Sequence, residues 1–217
     1  MNTKSEMLSV AEALARVTGG FELIASEHIG LSEALGRVLA EDVAARLTQP
    51  PMAVSSMDGY AVRAADVQTV PTMLTQIGES QAGGRFEGTV GVGECARIFT
   101  GAPLPDGADA VVIQEETDVD GMQISINESV STGADIRPAG LDFRTGDVLL
   151  RAGKVLSARD IGLVASMNVP WLCVRRRPRV AFIATGDEIV MPGDPIGPDQ
   201  IISSNSLALG AFIRVLG

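Results

Sequence analysis

The sequence has very few of the residues that usually carry nucleophilic or zinc-dependent catalysis. It contains one histidine and two cysteines. His28 lies in no Ser/His/Asp or Cys/His context and has no metal-ligand partner close by in the sequence, so we assign it no role. Cys95 and Cys173 match neither a zinc spacing nor a disulfide framework. We therefore expect two buried thiols in a reducing compartment.

Positive charge and long apolar runs are also scarce. The formal net charge is −10, which disfavours nucleic acid or an anionic membrane surface as the main partner. No apolar run approaches the ~18 residues of a membrane-spanning helix, and residues 1–6 precede no apolar signal segment. These absences predict a cytoplasmic protein without a nucleic-acid or membrane partner. An acidic protein that handles a phosphorylated ligand needs a cation, and Mg²⁺ is the usual one.

Aromatic residues make up only 4% of the chain, whereas hydrophobic residues make up 46%. This balance is typical of a globular protein whose core consists of small aliphatic side chains. A chain of 217 residues is long enough for one or two domains with their own cores. The glycine-rich stretches form no Gly-Lys-Ser/Thr phosphate loop, so they predict hairpin turns.

Capping and periodicity predict two helices near the N-terminus. Ser9 and Glu12 have the spacing of a capping box, and Gly19-Gly20 ends the first helix. The apolar residues of 31–40 recur at helical spacing, which predicts a second helix capped at Ser32. This helix and the short alternating segment after it resemble a small module that an inserted domain interrupts.

Residues 50–137 form the predicted insertion, which is all-β. Short alternating stretches are separated by turns rich in Gly, Pro and Asp. The strands are expected at Met73–Ile77, Cys95–Phe99, Ala110–Gln114 and Gln123–Ile126. After residue 138 the chain returns to the interrupted module, with a strand at 148–150, a helix capped by Ser157 and a strand at 169–174.

The last segment predicts the start of a doubly wound α/β domain. Residues 179–184 are a near-continuous apolar run, which is typical of a strand buried on both faces of a parallel sheet. Thr185-Gly-Asp-Glu188 comes at the predicted carboxyl end of that strand, where open α/β sheets bind ligands. An apolar helix is expected over 207–216.

The stretch from Gln49 to Arg63 carries the most specific signal. Two prolines fix an extended approach, Asp58-Gly59 is a turn pair in which glycine can adopt a positive φ, and a short strand begins at Tyr60. In isolation, such a pair is more often a surface turn than a site. The surrounding residues favour a carboxylate that is held in place for function.

The candidate functional residues are carboxylates and a hydroxyl in glycine-rich turns. They are Asp58, Thr100, Asp142, Asp187 and Glu188. The turn at Thr100-Gly101 suits an oxyanion, because it could expose backbone N–H groups and a hydroxyl. Oxygen ligands without histidine suit Mg²⁺ better than zinc or iron.

Four motifs carry a resemblance to a known family. They are Ser55-Ser-Met-Asp-Gly-Tyr-Ala-Val62, the segment from Arg97 to Thr117, the segment from Ile136 to Asp147, and Thr185-Gly-Asp-Glu188. In this order they resemble the MoeA family, the molybdopterin molybdenumtransferases, which includes a half of gephyrin.

The resemblance implies an α+β multidomain fold. A small mixed module holds an inserted all-β domain and is followed by the start of a doubly wound α/β domain of the MoaB/MogA type. The expected divisions are an N-terminal helical segment that packs on the α/β domain (1–26), a discontinuous module (27–49 with 138–176), the β-rich insertion (50–137), and the start of the molybdopterin-binding α/β domain (177–217).

The resemblance also implies the reaction and its residues. Proteins of this family insert molybdate into adenylylated molybdopterin and release AMP, and the implied catalytic positions are Asp58, Thr100, Asp142 and Glu188. Ser56, Gly101, Asp187 and Asn205 are the implied ligand-binding positions. Asp187 and Glu188 are the expected Mg²⁺ ligands. The implied partners are a second copy of the chain, in a homodimer that shares its active sites, and a MogA-type adenylyltransferase.

Three departures from the family pattern weaken the expectation of a complete enzyme. Ala53 and Ser203 stand where the family commonly has Asp, and the sequence stops at Gly217, before the remaining motifs of the α/β domain. We therefore expect the 217-residue chain alone to be inactive. The alternative function is a non-catalytic molybdopterin-binding or dimerising scaffold.

Overall fold

A computed structural model describes residues 8–216. Residues 1–7 and Gly217 lie outside the described residues. The prediction that no signal segment follows residues 1–6, and the start of the predicted segment 1–26, therefore fall outside the described part of the chain. None of the helices formed by residues 8–216 is long and apolar enough to cross a membrane.

The described chain contains both helices and strands, with more strands than helices, which agrees with the predicted α+β fold class. The helices are α1 (Val10–Gly19), α2 (Ala158–Ser166) and α3 (Ser204–Val215). The strands are β1 (Ser26–Gly30), β2 (Val43–Ala44), β3 (Val54–Ser55), β4 (Gly59–Val62), β5 (Thr72–Ser80), β6 (Glu94–Ile98), β7 (Ala110–Ile113), β8 (Thr117–Asp120), β9 (Gln123–Ile126), β10 (Ile136–Arg137), β11 (Val148–Leu150), β12 (Trp171–Arg175), β13 (Ile189–Val190) and β14 (Ile201–Ile202).

The described chain divides into two compact units, and the predicted domain boundaries stay a prediction. Unit 1 contains residues 8–43, 150–163 and 170–216, and unit 2 contains Ala44–Leu149 and Val164–Val169. The β-rich stretch 50–137 lies entirely within unit 2. Every strand expected there is present, with shifts of a few residues at its ends.

Unit 2 is built on a six-stranded sheet in the order β7-β4-β6-β5-β9-β8. All neighbours are antiparallel except β5 and β6, which run parallel. All four residues of β4 are buried. Two apolar clusters lie on opposite faces of β4, because side chains alternate along a strand. Tyr60 and Val62 belong to one cluster, and Ala61 belongs to the other. The turn at Asp58 therefore begins the strand that is covered on both faces.

In unit 1, β1 and β12 form an antiparallel pair, and β13 and β14 form a short parallel pair that is followed by α3. The predicted capping box of α1 is present, since Ser9 and Glu12 bond to each other's backbone N–H. No residue of α1 is buried, so its packing on the α/β domain stays a prediction. Both cysteines are buried and free, as expected.

The second predicted helix is wrong. Only Leu31–Glu33 makes a short 3₁₀ turn, and Gly36 adopts a left-handed conformation with φ +73°. Val38 and Leu39 then pair with Val155 and Val174 as isolated β-bridges. Pairing with distant strands thus decides the conformation of this segment, despite its helical spacing of apolar residues.

The buried strand predicted at 179–184 is also wrong. These residues form no strand, and all of them are exposed. Thr185-Gly-Asp-Glu188 consequently does not come after a strand but leads into one, because Ile189 begins β13.

Candidate functional site

Gly59 is required at the Asp58 turn, although not for the reason expected. Its φ is not in the left-handed region. A Cβ on Gly59 would lie 2.0 Å from the carbonyl oxygen of Val112 on the neighbouring strand β7. The glycine therefore permits two strands to approach closely, and it holds the start of β4 in a fixed place.

Asp58 and Thr100, both implied catalytic positions, are in direct contact. The Oδ1 atom of Asp58 accepts hydrogen bonds from the backbone N–H and the hydroxyl of Thr100, each at 2.7 Å. The hydroxyl bond is the main cause that lowers the pKa of Asp58, followed by the N–H bond and then, more weakly, by the charge of Arg97; partial desolvation opposes them. Asp58 is thus held as a carboxylate.

The turn around Gly101 does not expose the backbone donors expected of an oxyanion site. The N–H of Thr100 is bonded to Asp58, and the N–H of Gly101 donates to the carbonyl of Ser55 at 2.8 Å. The hydroxyl of Ser55 donates to the carbonyl of Met57 at 2.6 Å. These bonds hold together the two loops that meet at Asp58. Ser56 lies in one of these loops and Gly101 in the other, and both are implied binding positions. The donors of the turn position the carboxylate and are not free for an anion.

Arg97 is a residue of this site that the sequence reasoning missed. Its guanidinium lies over the rings of Tyr60 and Phe99, 5.1 and 4.9 Å from their centroids. It also donates to the carbonyl of Gly59 at 3.1 Å and to Oε1 of Gln114 at 2.6 Å. Stacking on two aromatic rings and two hydrogen bonds fix a positive charge beside Asp58.

Asp142 is held by a second arginine that the sequence reasoning missed. Nη2 of Arg137 lies 2.8 Å from each carboxylate oxygen of Asp142. Arg137 belongs to β10, which pairs with β3 so that Arg137 lies opposite Val54. Both side chains remain about two-fifths exposed, so a ligand can reach the pair.

The other implied positions, Asp187, Glu188 and Asn205, belong to unit 1. Asn205 and Thr185 line a cleft of about 320 Å³ between the 182–185 segment and the start of α3. Asp187 and Glu188 are exposed in the turn before β13 and do not line that cleft. The structure therefore brings together Asp58, Thr100 and their loops, and it places the predicted Mg²⁺ ligands in the other unit.

The sequence alone does not show what either arginine contacts. Arg97 lies opposite Tyr60 across β6 and β4, and this register is not visible in either strand alone. Arg137 stands five residues before Asp142 in a loop-rich stretch, where the spacing predicts no contact.

Comparisons with known proteins show which family the chain is similar to. A family model described as the MoeA N-terminal region (domain I and II) matches residues 8–168. A Molybdopterin molybdenumtransferase of Nostoc sp. is 39% identical over 196 residues, which cover 88% of this chain and 45% of that protein. The Molybdopterin molybdenumtransferase 2 of Mycobacterium tuberculosis is 38% identical over 87% of this chain and 48% of that protein.

A solved structure of a molybdopterin biosynthesis moeA protein from Pyrococcus horikoshii OT3 has the same fold. It superposes with a TM-score of 0.89 at 31% identity, over 96% of this chain and 57% of that one. This chain spans about half the length of the curated relatives it matches.

Proposed function

Since this chain belongs to the MoeA family and carries that family's N-terminal region, we propose that it serves molybdenum cofactor biosynthesis. The step is the insertion of molybdate into adenylylated molybdopterin with release of AMP. The names of the relatives support molybdopterin and molybdenum as the substrates. The observation that carries the proposal is the ionised Asp58, fixed by Thr100 beside the stacked Arg97.

The hydrogen bonds from Thr100 lower the pKa of Asp58 and fix the orientation of its carboxylate. A carboxylate that stays ionised at neutral pH does not act as a general acid there. It accepts a hydrogen bond from a bound water or substrate hydroxyl, and it attracts a cation. Its Oδ1 accepts both bonds from Thr100, so Oδ2 is the atom that remains available to a ligand.

Arg97 and Arg137 supply the positive charge that anionic substrates need in an acidic chain. Molybdate and a pyrophosphate group both carry negative charge, and guanidinium groups pair well with such oxyanions. Arg137 is paired with Asp142. An incoming anion would therefore compete with Asp142 for Arg137, which gives Asp142 a role in controlling that arginine.

We propose Asp187 and Glu188 as the residues that hold Mg²⁺. Their donor set consists only of carboxylate oxygens and both side chains are exposed, which fits a cation that keeps several waters and binds substrate phosphates. When bound, Mg²⁺ would neutralise charge on the pyrophosphate. We further propose that the protein works in the cytoplasm as a homodimer and that a MogA-type adenylyltransferase supplies its substrate.

Equilibrium binding of adenylylated molybdopterin to the purified chain tests the proposal. Asp58→Asn should weaken binding measured in the presence of Mg²⁺, because the amide keeps the size of the side chain but loses the charged acceptor for a substrate hydroxyl and the attraction for a bound cation. Asp120→Asn is the matched control, since Asp120 is an exposed carboxylate of β8 in the same unit. Equal affinity for wild type and both variants, with unchanged thermal midpoints, would contradict a role for Asp58. Release of AMP by the chain with molybdate would show that it completes turnover.

A further inference from the structure

His28, the only histidine of the chain, has ligand-type neighbours that the sequence does not reveal. A ring nitrogen of His28, a carboxylate oxygen of Glu41 and the Sγ atom of Cys173 all lie within 4.8 Å of one another. The three residues come from three separate segments of unit 1, whereas Asp58 and Thr100 belong to unit 2.

The pairing of β1 with β12 brings two of the three side chains together. His28 and Cys173 are direct partners in this antiparallel register. Side chains of directly opposite residues project from the same face, with Cβ atoms about 5 Å apart. The backbone of the two strands therefore fixes the nitrogen and sulfur donors side by side.

The segment before β2 brings the third side chain. Leu39 pairs with Val174 as a β-bridge, and the N–H of Ala40 donates to the carbonyl of Cys173 at 2.9 Å. Glu41 is the next residue along the chain. The strand β12 is thus bordered by the His28 strand on one edge and by the Glu41 segment on the other.

Within residues 8–216, no hydrogen bond or ion pair occupies the side chains of His28, Glu41 or Cys173. The neighbouring Asp42 differs, because its carboxylate accepts from Arg151 at 2.6 Å and from the N–H of Ala152 at 2.9 Å. Cys173 is only 8% exposed, whereas His28 and Glu41 are exposed. A nearly buried sulfur with two exposed ligands beside it is an arrangement that a metal can complete.

We propose that His28, Glu41 and Cys173 bind a transition-metal ion, with Zn²⁺ as the physiological candidate. Imidazole nitrogen, thiolate sulfur and carboxylate oxygen are all ligands of zinc, whereas thiolate and imidazole are poor ligands for Mg²⁺. With metal–ligand bonds of about 2.0–2.3 Å, tetrahedral ligand atoms lie roughly 3.5 Å apart. Rotation of the exposed His28 and Glu41 side chains closes the remaining distance, and water takes the fourth position.

Such a site would act on the stability of unit 1. The ion would connect segments around residues 28, 41 and 173, which are distant in the sequence. A metal that binds the folded state and not the unfolded chain raises the free energy of unfolding as its concentration rises above the dissociation constant. The site therefore couples the stability of the β1–β12 pair to metal supply.

Titration of the reduced, metal-free 217-residue protein with Co²⁺ tests the proposal. Cobalt is a spectroscopic substitute for zinc. We expect a thiolate-to-cobalt charge-transfer band in the near ultraviolet together with the strong visible bands of tetrahedral Co²⁺, saturating at one ion per chain. Zn²⁺ added afterwards should remove these bands and shift the imidazole proton resonances, which belong to His28 alone.

Variants identify the ligands. Cys173→Ala should abolish the charge-transfer band. His28→Gln and Glu41→Gln should weaken Co²⁺ binding about tenfold or more, since even changes to residues that only hydrogen-bond to a metal ligand cost about 10–100-fold. Cys95→Ala and Glu33→Gln are the matched controls and should bind like wild type.

Two results would overturn the proposal. One is the absence of a charge-transfer band in the wild-type protein. The other is a band of normal intensity and affinity in both His28→Gln and Glu41→Gln. These two variants change exposed side chains and should fold, so they decide the question even if Cys173→Ala is unstable by circular dichroism.

Discussion

Thr100 donates two hydrogen bonds to one oxygen of Asp58, one from its backbone and one from its hydroxyl. The threonine therefore acts through the carboxylate, since it stabilises the charged form of Asp58 and fixes its orientation. A hydroxyl and a carboxylate that are 42 residues apart in the sequence become a single functional group only through the β4–β6 pairing.

Thr100→Val should raise the pKa of Asp58 toward its ordinary value, because valine keeps the shape and the backbone donor but removes the hydroxyl donor. Arg97→Met should raise it less, since the charge of Arg97 is a weaker cause of the shift than either bond from Thr100. Carboxyl ¹³C titration by NMR measures both. Thr117→Val, which removes a hydroxyl that bonds to the carbonyl of Gln114, is the control.

The same shift gives a dependence of stability on pH. The pKa of Asp58 is lower in the folded protein than its ordinary value. Its contribution to stability is therefore present above the ordinary value of ~3.9 and is lost as the pH falls through the folded value. Thr100→Val should therefore lose less stability than the wild type as the pH falls, which acid unfolding of the two proteins measures. A pKa of Asp58 that is identical in wild type and Thr100→Val would contradict the assignment.

Gly59→Ala should destabilise unit 2 by about 3 kcal/mol or more, because an added Cβ must displace the backbone of β7. Gly84→Ala is the control, since a Cβ there meets only ordinary contacts at 3.7 Å or beyond, and the change should stay within about 0.5 kcal/mol. Urea unfolding of the two variants and the wild type gives the comparison. Equal midpoints for Gly59→Ala and wild type would mean that the strands separate at little cost.

Cys95 should resist alkylation in the folded protein. Burial raises the pKa of its thiol from 9.0 to about 12, and the reactive thiolate is scarce below that value.

The raised pKa of Cys95 also gives a dependence of stability on alkaline pH. Because the folded value lies above the unfolded one, the contribution of Cys95 to stability is complete below pH 9 and is lost as the pH rises toward 12. Mass spectrometry after iodoacetamide treatment at pH 8 should find Cys95 unmodified, and Cys95→Ala should remove this part of the alkaline loss of stability. Rapid labelling of Cys95 in the native protein would refute the prediction.

Amides of 180–184 should exchange with solvent much faster than those of β6 and β7. Among the described residues, the segment 180–184 donates no backbone hydrogen bond and is fully exposed. Residues of β6 and β7 pair with β4, which lies between them, so the amides bonded in these pairs should exchange only when unit 2 opens. Hydrogen exchange followed by mass spectrometry measures the two regions in one experiment. Strong protection of 180–184 in the monomer would contradict this prediction, and protection only in a dimer would show that a partner covers the segment.

Local patterns in the sequence predicted those elements whose formation depends on local contacts. The capping box of α1, the alternating strands around 95–98 and 110–113 and the capped start of α2 all depend on neighbouring residues. The approximate position of the functional turn was predictable from the proline-rich approach and Asp58-Gly59.

The wrong predictions concern segments whose conformation depends on partners. Residues 31–40 have helical spacing, yet Val38 and Leu39 pair with distant strands. Residues 179–184 have the composition of a buried strand, yet no strand pairs with them in the described chain. Arg97 went unnoticed for the same reason, since strand register places it opposite Tyr60, whereas the contact of Arg137 with Asp142 depends on the path of the loop between them.

The position of β4 between β6 and β7 has a consequence for the order in which the protein folds. Gly59 pairs with Ile98 on one side and Ile113 on the other, so two separate loops must close before both edges of this strand are paired. Loop closure costs entropy before any contact repays it, which makes such pairings slow and mutually dependent. The β8–β9 hairpin can form early, but the carboxylate of Asp58 reaches its place beside Thr100 only after β4 and β6 have paired. A chain in which these two strands have not paired therefore carries no preformed fragment of the site.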